Sequence, residues 1–185
     1  KVGADFRLRV GLQNKSTYFK KLAEYGSGYE HNCAIMSDDS VYCWGNGQYG
    51  VLGTNSTTSS TVPVPVYTQD VLNGKTIKQV TTGFYHTCVI ASDDKDYCWG
   101  YGTAGRLGNN GIVQKNAPYP VREFATTVVS QIAAGNEHTC SLNSEGKLNC
   151  WGKGINGELG RDVFLPSYTP TAVNMSNFGT ESVKQ

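Results

Sequence analysis

Short apolar stretches separated by turn residues run along the chain, and they predict strands rather than helices. From Phe6 to Leu12 apolar residues alternate with arginine and glycine, which is the pattern of a half-buried strand. A proline-led stretch such as Pro63 to Val66 also fits a strand, because proline is tolerated at a strand start or on a sheet edge. Turn residues such as Ser37 to Asp39 separate neighbouring stretches. The pattern therefore predicts an all-β fold.

The same order of elements occurs three times. A Gly-x-x-His-x-Cys stretch begins at Gly28, returns at Gly83 and returns again at Gly135. Ten residues after its cysteine comes a second cysteine followed by Trp-Gly, and each unit closes with Gly-x-Leu-Gly. The equivalent positions are His31, His86 and His138, then Trp44, Trp99 and Trp151, then the closing glycines Gly53, Gly108 and Gly160. A repeat of about fifty residues indicates an array of similar structural units.

Each unit is predicted to contain four short strands, the proline-led strand being the first. The His-x-Cys and Cys-Trp-Gly segments form the third and fourth strands, joined by a tight turn. We expect an N-terminal strand segment at 1–18, repeats at 19–54, 60–109 and 115–161, and the start of a fourth repeat at 166–185. Because this last unit stops inside its second strand, we expect the chain to be part of something longer or completed by neighbours.

The six cysteines are predicted to form three local disulfides. A hairpin that turns at Asp38 places residues 33 and 43 opposite each other, and the other two hairpins centre on Asp93 and Glu145. Opposed residues of antiparallel strands have Cα atoms about 4.5–5.5 Å apart, which suits a disulfide. The predicted pairs are Cys33–Cys43, Cys88–Cys98 and Cys140–Cys150. Since cytosolic thiols stay reduced, these pairs predict a secreted protein, extracellular or at the cell surface.

Composition narrows the classes of function. The net charge is +1 and only 17% of residues are charged, so non-specific nucleic-acid binding is disfavoured. No run of 18 apolar residues exists, so we expect no membrane-spanning segment. The 22 glycines and 11 tyrosines fit a turn-rich β protein better than a helical bundle.

Motifs that suggest chemistry are better explained by structure. Gly-x-Gly-x-x-Gly begins at Gly45, Gly100 and Gly152, but the helix and acidic residue of a dinucleotide site do not follow. We expect these glycines to provide positive φ and close backbone approach between units. One histidine and two cysteines per unit are too few for a tetrahedral zinc site. The repeated histidines are expected to be buried or half-buried and to hydrogen-bond the neighbouring unit. We predict no catalytic residue, metal or cofactor.

These motifs together resemble the regulator of chromosome condensation repeat, in its cysteine-bearing bacterial form, over residues 19 to 185. The resemblance implies β-propeller blades of four short antiparallel strands, commonly seven to a ring. Three repeats and the start of a fourth then make a partial propeller. Its expected partners are further repeats of the same polypeptide, neighbouring copies of the chain, or another protein.

The resemblance leaves function open, because one fold supports many functions. The family includes a nucleotide exchange factor, light receptors, enzyme inhibitors and bacterial surface proteins. Our first hypothesis is a non-enzymatic structural or adhesive module of a secreted bacterial surface protein or extracellular fibre, because both ends look interrupted. The alternative is a secreted protein-recognition propeller that acts like an inhibitor. The third hypothesis, a nucleotide exchange factor for a small GTPase, is intracellular and would be excluded by intact disulfides.

Overall fold

The structure is a computed structural model, and it describes residues 18–22, 28–122 and 128–176. The described part contains three four-stranded antiparallel sheets, each with its strands in sequence order. The strands are β1 Phe19–Leu22, β2 His31–Met36, β3 Val41–Gly45 and β4 Ser60–Pro65, then β5 Ile77–Thr82, β6 His86–Ala91, β7 Asp96–Gly100 and β8 Lys115–Pro120, then β9 Val129–Ala134, β10 His138–Asn143, β11 Leu148–Gly152 and β12 Ser167–Ala172. This confirms the all-β fold class.

Two predicted segments lie outside the described residues. They are the strand from Phe6 to Leu12 and the final residues 182–185. Among the described residues, the helices are single turns at Gln48–Gly50 and Thr103–Gly105. No helix in this part of the chain is long and apolar enough to cross a bilayer.

The sheets divide the chain differently from the predicted repeats. The proline-led strands β4, β8 and β12 do not begin a unit but complete the preceding sheet, where Val64 of β4 lies opposite Cys43 of β3. These strands carry proline and pair with one neighbour, so they lie at the sheet edge, as prolines require. The segment predicted to start a fourth repeat at 166 therefore contributes the last strand of the third sheet.

The hairpins β2–β3, β6–β7 and β10–β11 have the register that the cysteine spacing predicts. Each pair of cysteines lies directly opposite across its hairpin. The structure contains the disulfides Cys33–Cys43, Cys88–Cys98 and Cys140–Cys150, each with Cα atoms 4.1 Å apart. The turns place Asp39, Asp94 and Gly146 at φ of 62°, 61° and 78°. A hairpin turn with this left-handed residue fixes the register of its two strands.

We expect thiol titration of the denatured, unreduced protein to find no free cysteine. Each bridge closes a loop of only about ten residues, so the chain-entropy model gives each a contribution under about 3 kcal/mol. Titration after reduction is the control, and it should reveal all six thiols. Six thiols without reduction would contradict the pairing.

The sheets stack side by side and bury apolar side chains between them. One cluster includes Ile35, Leu52 and Val89 between the first two sheets, and another includes Ile90 and Ile132 between the second and third. The strands β5 and β9 lie close together. Gln79 of β5 donates to the Ile132 carbonyl at 2.8 Å and accepts from its amide at 3.0 Å. These contacts fix the angle between successive sheets, as between blades of a propeller.

Candidate functional site

The repeated histidine and tryptophan connect the first sheet to the second. The Trp99 indole Nε1 donates to the Val51 carbonyl at 2.8 Å, and the Thr87 hydroxyl donates to the same carbonyl at 2.9 Å. His31 Nε2 lies 2.9 Å from the Thr87 hydroxyl oxygen. Because the hydroxyl uses its proton on the carbonyl, His31 donates from Nε2–H to the threonine oxygen. One hydrogen-bond network thus joins His31 and the Val51 carbonyl of the first unit to Thr87 and Trp99 of the second sheet.

The same network recurs between the second sheet and the third. Trp151 Nε1 and the Thr139 hydroxyl donate to the Arg106 carbonyl at 3.0 and 3.1 Å. His86 Nε2 lies 2.8 Å from the Thr139 hydroxyl oxygen. The recurrence places His31, His86, Trp99 and Trp151 at the contacts between sheets. Their part in the structure is packing and hydrogen bonding.

Burial keeps these histidines neutral. It lowers the pKa of His31 to about 4 and the pKa of His86 well below its ordinary value. The positive charge of Arg106 lowers the His86 pKa further. Burial also lowers the pKa of His138, which is only partly buried. Trp44 occupies the equivalent tryptophan position of the first sheet and is partly buried.

The closing glycines lie where neighbouring segments approach closely. Gly53 has φ of +68°, and a Cβ there would lie 2.6 Å from Trp99 Nε1. Gly108 makes the same close approach to Trp151, whereas Gly160 lies against Val173. The sequence analysis predicted positive φ and close approach for the Gly-x-Gly-x-x-Gly glycines. This is confirmed at Gly50 and Gly105, where φ is +73° and +78° and an added Cβ would lie 2.4 Å from Asn116 Oδ1 and 2.5 Å from Tyr168 Cδ1.

The described residues offer little for covalent or metal chemistry. They contain no group of three or more His, Cys, Asp or Glu side chains arranged to hold a metal ion. The six cysteines are oxidised in disulfides, so they provide no thiolate nucleophile. After Gly45 the chain forms a single 3₁₀ turn, too short for the helix of a dinucleotide site.

A group of aromatic side chains, which the sequence analysis missed, lies at one end of the first two sheets. We call Tyr29, Tyr49, Phe84, Tyr85 and Tyr101 the aromatic cluster. Tyr29 stacks on Phe84 with ring centroids 4.2 Å apart, and Tyr49 stacks on Tyr101 at 4.3 Å. Tyr85 stands edge-on to all four other rings, at 4.7–6.3 Å. The five rings are in continuous contact with one another. Tyr29 is 59% exposed, and the other four rings are partly buried.

The cluster is assembled from loops at the same end of their strands. Tyr29, Phe84 and Tyr85 precede the His-x-Cys strands, while Tyr49 and Tyr101 follow the Cys-Trp-Gly strands. In the third unit the corresponding loop carries Asn136 and Glu137 instead of aromatic residues. This departure from the repeat is the sequence signal that could have located the cluster.

Charged side chains border the aromatic cluster on the side of the third sheet. The Arg106 guanidinium, only 1% exposed, lies 3.1 Å from a Glu137 carboxylate oxygen and 5.2 Å from the centre of the Tyr101 ring. The other Glu137 oxygen lies 2.5 Å from Lys153 Nζ. The hydrogen bond from Lys153, together with the Arg106 charge, lowers the Glu137 pKa. This end of the molecule therefore offers aromatic rings beside a fixed ion-pair network.

Sequence comparison shows repeated matches to a single family. A model described as "Regulator of chromosome condensation (RCC1) repeat" matches residues 38–90 and 93–142, more than half of the chain. A second model with the same description matches residues 77–106 and 129–158.

Individual relatives are longer proteins. The chain is 32% identical over 155 residues to the ultraviolet-B receptor UVR8 of Arabidopsis thaliana, covering 83% of this chain and 34% of the receptor. It is 28% identical over 172 residues to the human probable E3 ubiquitin-protein ligase HERC4, covering 93% of this chain and 16% of that protein. The chain thus spans about a third or less of these relatives.

Solved structures show the same fold. The crystal structure of human WBSCR16 superposes with a TM-score of 0.73 at 26% identity, covering 90% of this chain and 42% of that chain. The yeast Prp20p structure superposes with a TM-score of 0.72 at 20% identity, covering 86% of this chain and 39% of that one.

Proposed function

Because the chain belongs to the regulator of chromosome condensation repeat family, we propose that it is a non-enzymatic, protein-binding part of a β-propeller. The observation that carries the proposal is the aromatic cluster, which joins five rings from the loops of two sheets. Tyrosine and phenylalanine are enriched in protein interfaces, where they bury large areas at little cost in side-chain entropy. A continuous aromatic surface on one end of the fold is therefore suited to contact a partner protein.

A protein with the same fold binds other proteins. The yeast structure of Prp20p was described together with its binding to Gsp1p and histones. A second structure shows Kap60 bound to yeast RCC1 (Prp20). At 20% and 19% identity these two structures of one protein share the fold with this chain, and they support a protein as the class of partner.

We place this recognition outside the cell or at its surface. The support is the disulfide in each sheet, since such bonds persist in oxidising compartments. The same bonds disfavour an intracellular exchange factor. A bacterial structural or adhesive role gains no support from the plant and mammalian relatives. A protein-recognition propeller, the alternative of the sequence analysis, is therefore the function we favour.

Neighbouring repeats are a second class of partner in this proposal. Leu142 and Leu148 line an open cleft of about 260 Å³ on the third sheet. In the first interface the equivalent side chains, Ile35 and Val41, are covered by the next sheet, and in the second interface so is Ile90, the equivalent of Leu142. We propose that a further repeat, from the same polypeptide or from another copy, covers this cleft.

The substitution Tyr29→Ala tests the role of the aromatic cluster. Removing an exposed ring from the centre of an interface should weaken partner binding about 30-fold, the loss typical of a tyrosine hot spot of about 2 kcal/mol. Partners captured by the full chain from an extract of its own organism would be identified first, and their affinities measured next. Tyr119→Ala is the matched control, because Tyr119 is 42% exposed on the edge strand β8. Equal affinities for the two variants would contradict the proposal.

A further inference from the structure

The first two disulfides lie on sheet faces that are covered by the next sheet. Cys33 and Cys43 belong to the apolar cluster between the first two sheets, and Cys88 and Cys98 belong to the cluster between the second and third. All four cysteines are 0% exposed. A thiol in solution therefore cannot reach either bond while the chain is folded.

The third disulfide lies at the open cleft of the third sheet. Cys140 lines this cleft of about 260 Å³ and is partly exposed, whereas Cys150 is only 3% exposed. Apolar side chains and two glutamine amides make up the rest of the described lining, so no carboxylate there repels a thiolate. A molecule that enters the cleft thus meets the Cys140 end of the bond.

The direction of approach is open at this bond as well. In thiol–disulfide exchange a thiolate attacks one sulfur, and it must arrive roughly in line with the bond that breaks. Cys140 lies opposite Cys150 on one side and opposite Ala133 on the other, so the line of the S–S bond continues from Cys140 over β9. Ala133 is exposed and its side chain is a single methyl group. The line of attack on Cys140 is therefore unobstructed.

The second sheet shows the same arrangement in a closed form. The residue opposite Cys88 is Thr81, which is fully buried. Its hydroxyl accepts a hydrogen bond from the Ala134 amide of the third sheet at 3.1 Å. The third sheet thus covers the line of attack on Cys88.

We propose that the Cys140–Cys150 disulfide is a site of exchange with a small-molecule thiol. The thiolate of that molecule attacks Cys140 Sγ and forms a mixed disulfide with it. The bond between the two cysteines breaks, and Cys150 leaves as a thiolate that takes a proton from water. One disulfide replaces another, so the exchange needs no oxidant or reductant.

The exchange also bears on the docking of a further repeat. The attached thiol would occupy the cleft that the proposed function assigns to that repeat. Exchange and docking would therefore exclude each other. This consequence rests on the proposed function, whereas the exchange itself rests on the geometry of the third sheet.

Partial reduction of the folded chain by dithiothreitol tests the proposal. Dithiothreitol makes the same attack, and its second thiol then completes the reduction by closing a ring. Cysteines freed at successive times would be alkylated with N-ethylmaleimide and located by peptide mass mapping. We expect Cys140 and Cys150 to be labelled faster than the other four cysteines by a factor of about ten or more, because the buried disulfides react only when the fold opens. In urea all six should react at similar rates.

The substitution Ala133→Leu tests the line of attack, because the larger side chain would stand between the cleft and Cys140. We expect it to slow reduction of the third disulfide about tenfold and to leave the other two unchanged. Ala172→Leu is the matched control. Ala172 is exposed on β12 opposite Asn149, one residue beyond the partner of Cys150, so its side chain lies on the other face of the sheet.

Equal rates at the three disulfides of the unaltered folded chain, or no slowing by Ala133→Leu, would overturn the proposal. If Ala133→Leu does not fold, the comparison of the three disulfides in the unaltered chain decides alone. Equal, slow rates in a chain of doubled mass would show that a second copy covers the cleft. That result would refute the exchange site and leave the proposed docking of a repeat standing.

Discussion

Replacing Gly53 by alanine should lower the free energy of unfolding by about 3 kcal/mol. Gly53 has φ of +68°, and an L-residue in this conformation costs about 1–2 kcal/mol. The added Cβ would also lie 2.6 Å from Trp99 Nε1 and 2.8 Å from its Cε2. The indole cannot move aside, because it is fully buried and donates to the Val51 carbonyl. Overpacking of this kind costs a further 1–3 kcal/mol or so.

Gly74→Ala is the matched control for this substitution. Gly74 has φ of +72°, nearly that of Gly53, but nothing lies within 4 Å of its Cβ position. Its replacement should therefore cost only the backbone penalty, about 1 kcal/mol. Urea unfolding of both variants gives the comparison, and the difference between them isolates the contact with Trp99. Equal losses would contradict the idea that the closing glycine permits close packing of one sheet on the next.

Strand pairing could be predicted from the sequence, whereas the boundaries of the sheets could not. The register of a hairpin depends on where it turns, and Asp38 lies midway between Cys33 and Cys43. A repeating sequence, however, can be divided at any point of its period. The sheet boundary is set by the pairing of β4 with β3, which are separated by a loop of 14 residues, from 46 to 59. Short-range patterns do not specify that hydrogen bonding.

The contacts between sheets were also easier to predict than the candidate site. His31 and His86 recur in register, which indicates a structural role, and the structure places both beside threonines of the next sheet. In the aromatic cluster Tyr29 and Phe84 are equivalent positions of the repeat, but the other three rings have no aromatic equivalent in the other units. Tyr29 contacts Phe84 only because the 54 residues between them fold so that the second sheet stacks on the first. Such proximity follows from tertiary packing, so a reading of local patterns misses it.

The protein should lose stability as the pH falls from about 6.5, before its carboxylates titrate. Unfolded histidines protonate near pH 6.5, whereas burial holds the pKa of folded His31 at about 4 and that of His86 well below its ordinary value. Below pH 6.5 the unfolded chain therefore binds more protons than the folded protein. Stability must rise with pH in this range and fall on acidification.

The size of this loss follows from the shift in pKa. One pKa unit corresponds to about 1.4 kcal/mol, so His31 alone should contribute a loss of about 3 kcal/mol between pH 6.5 and pH 4. His86 contributes a loss in the same direction, because burial lowers its pKa as well. At pH 5 His31 alone should cost about 2 kcal/mol relative to pH 7.5, and His86 should add to this loss. Aspartate and glutamate titrate mainly below pH 5, so the interval above it isolates the histidines.

Urea unfolding at constant ionic strength between pH 7.5 and pH 5 provides the measurement, and His86→Ala provides the comparison. The variant loses a fully buried ring and its hydrogen bond to Thr139, so it should be less stable by about 2–4 kcal/mol at pH 7.5. Its stability should nevertheless depend less steeply on pH. The variant has one fewer histidine that is neutral in the folded protein and protonated in the unfolded chain. A flat pH dependence in the unaltered chain, or the same slope in both proteins, would show that these histidines do not stay neutral in the folded protein.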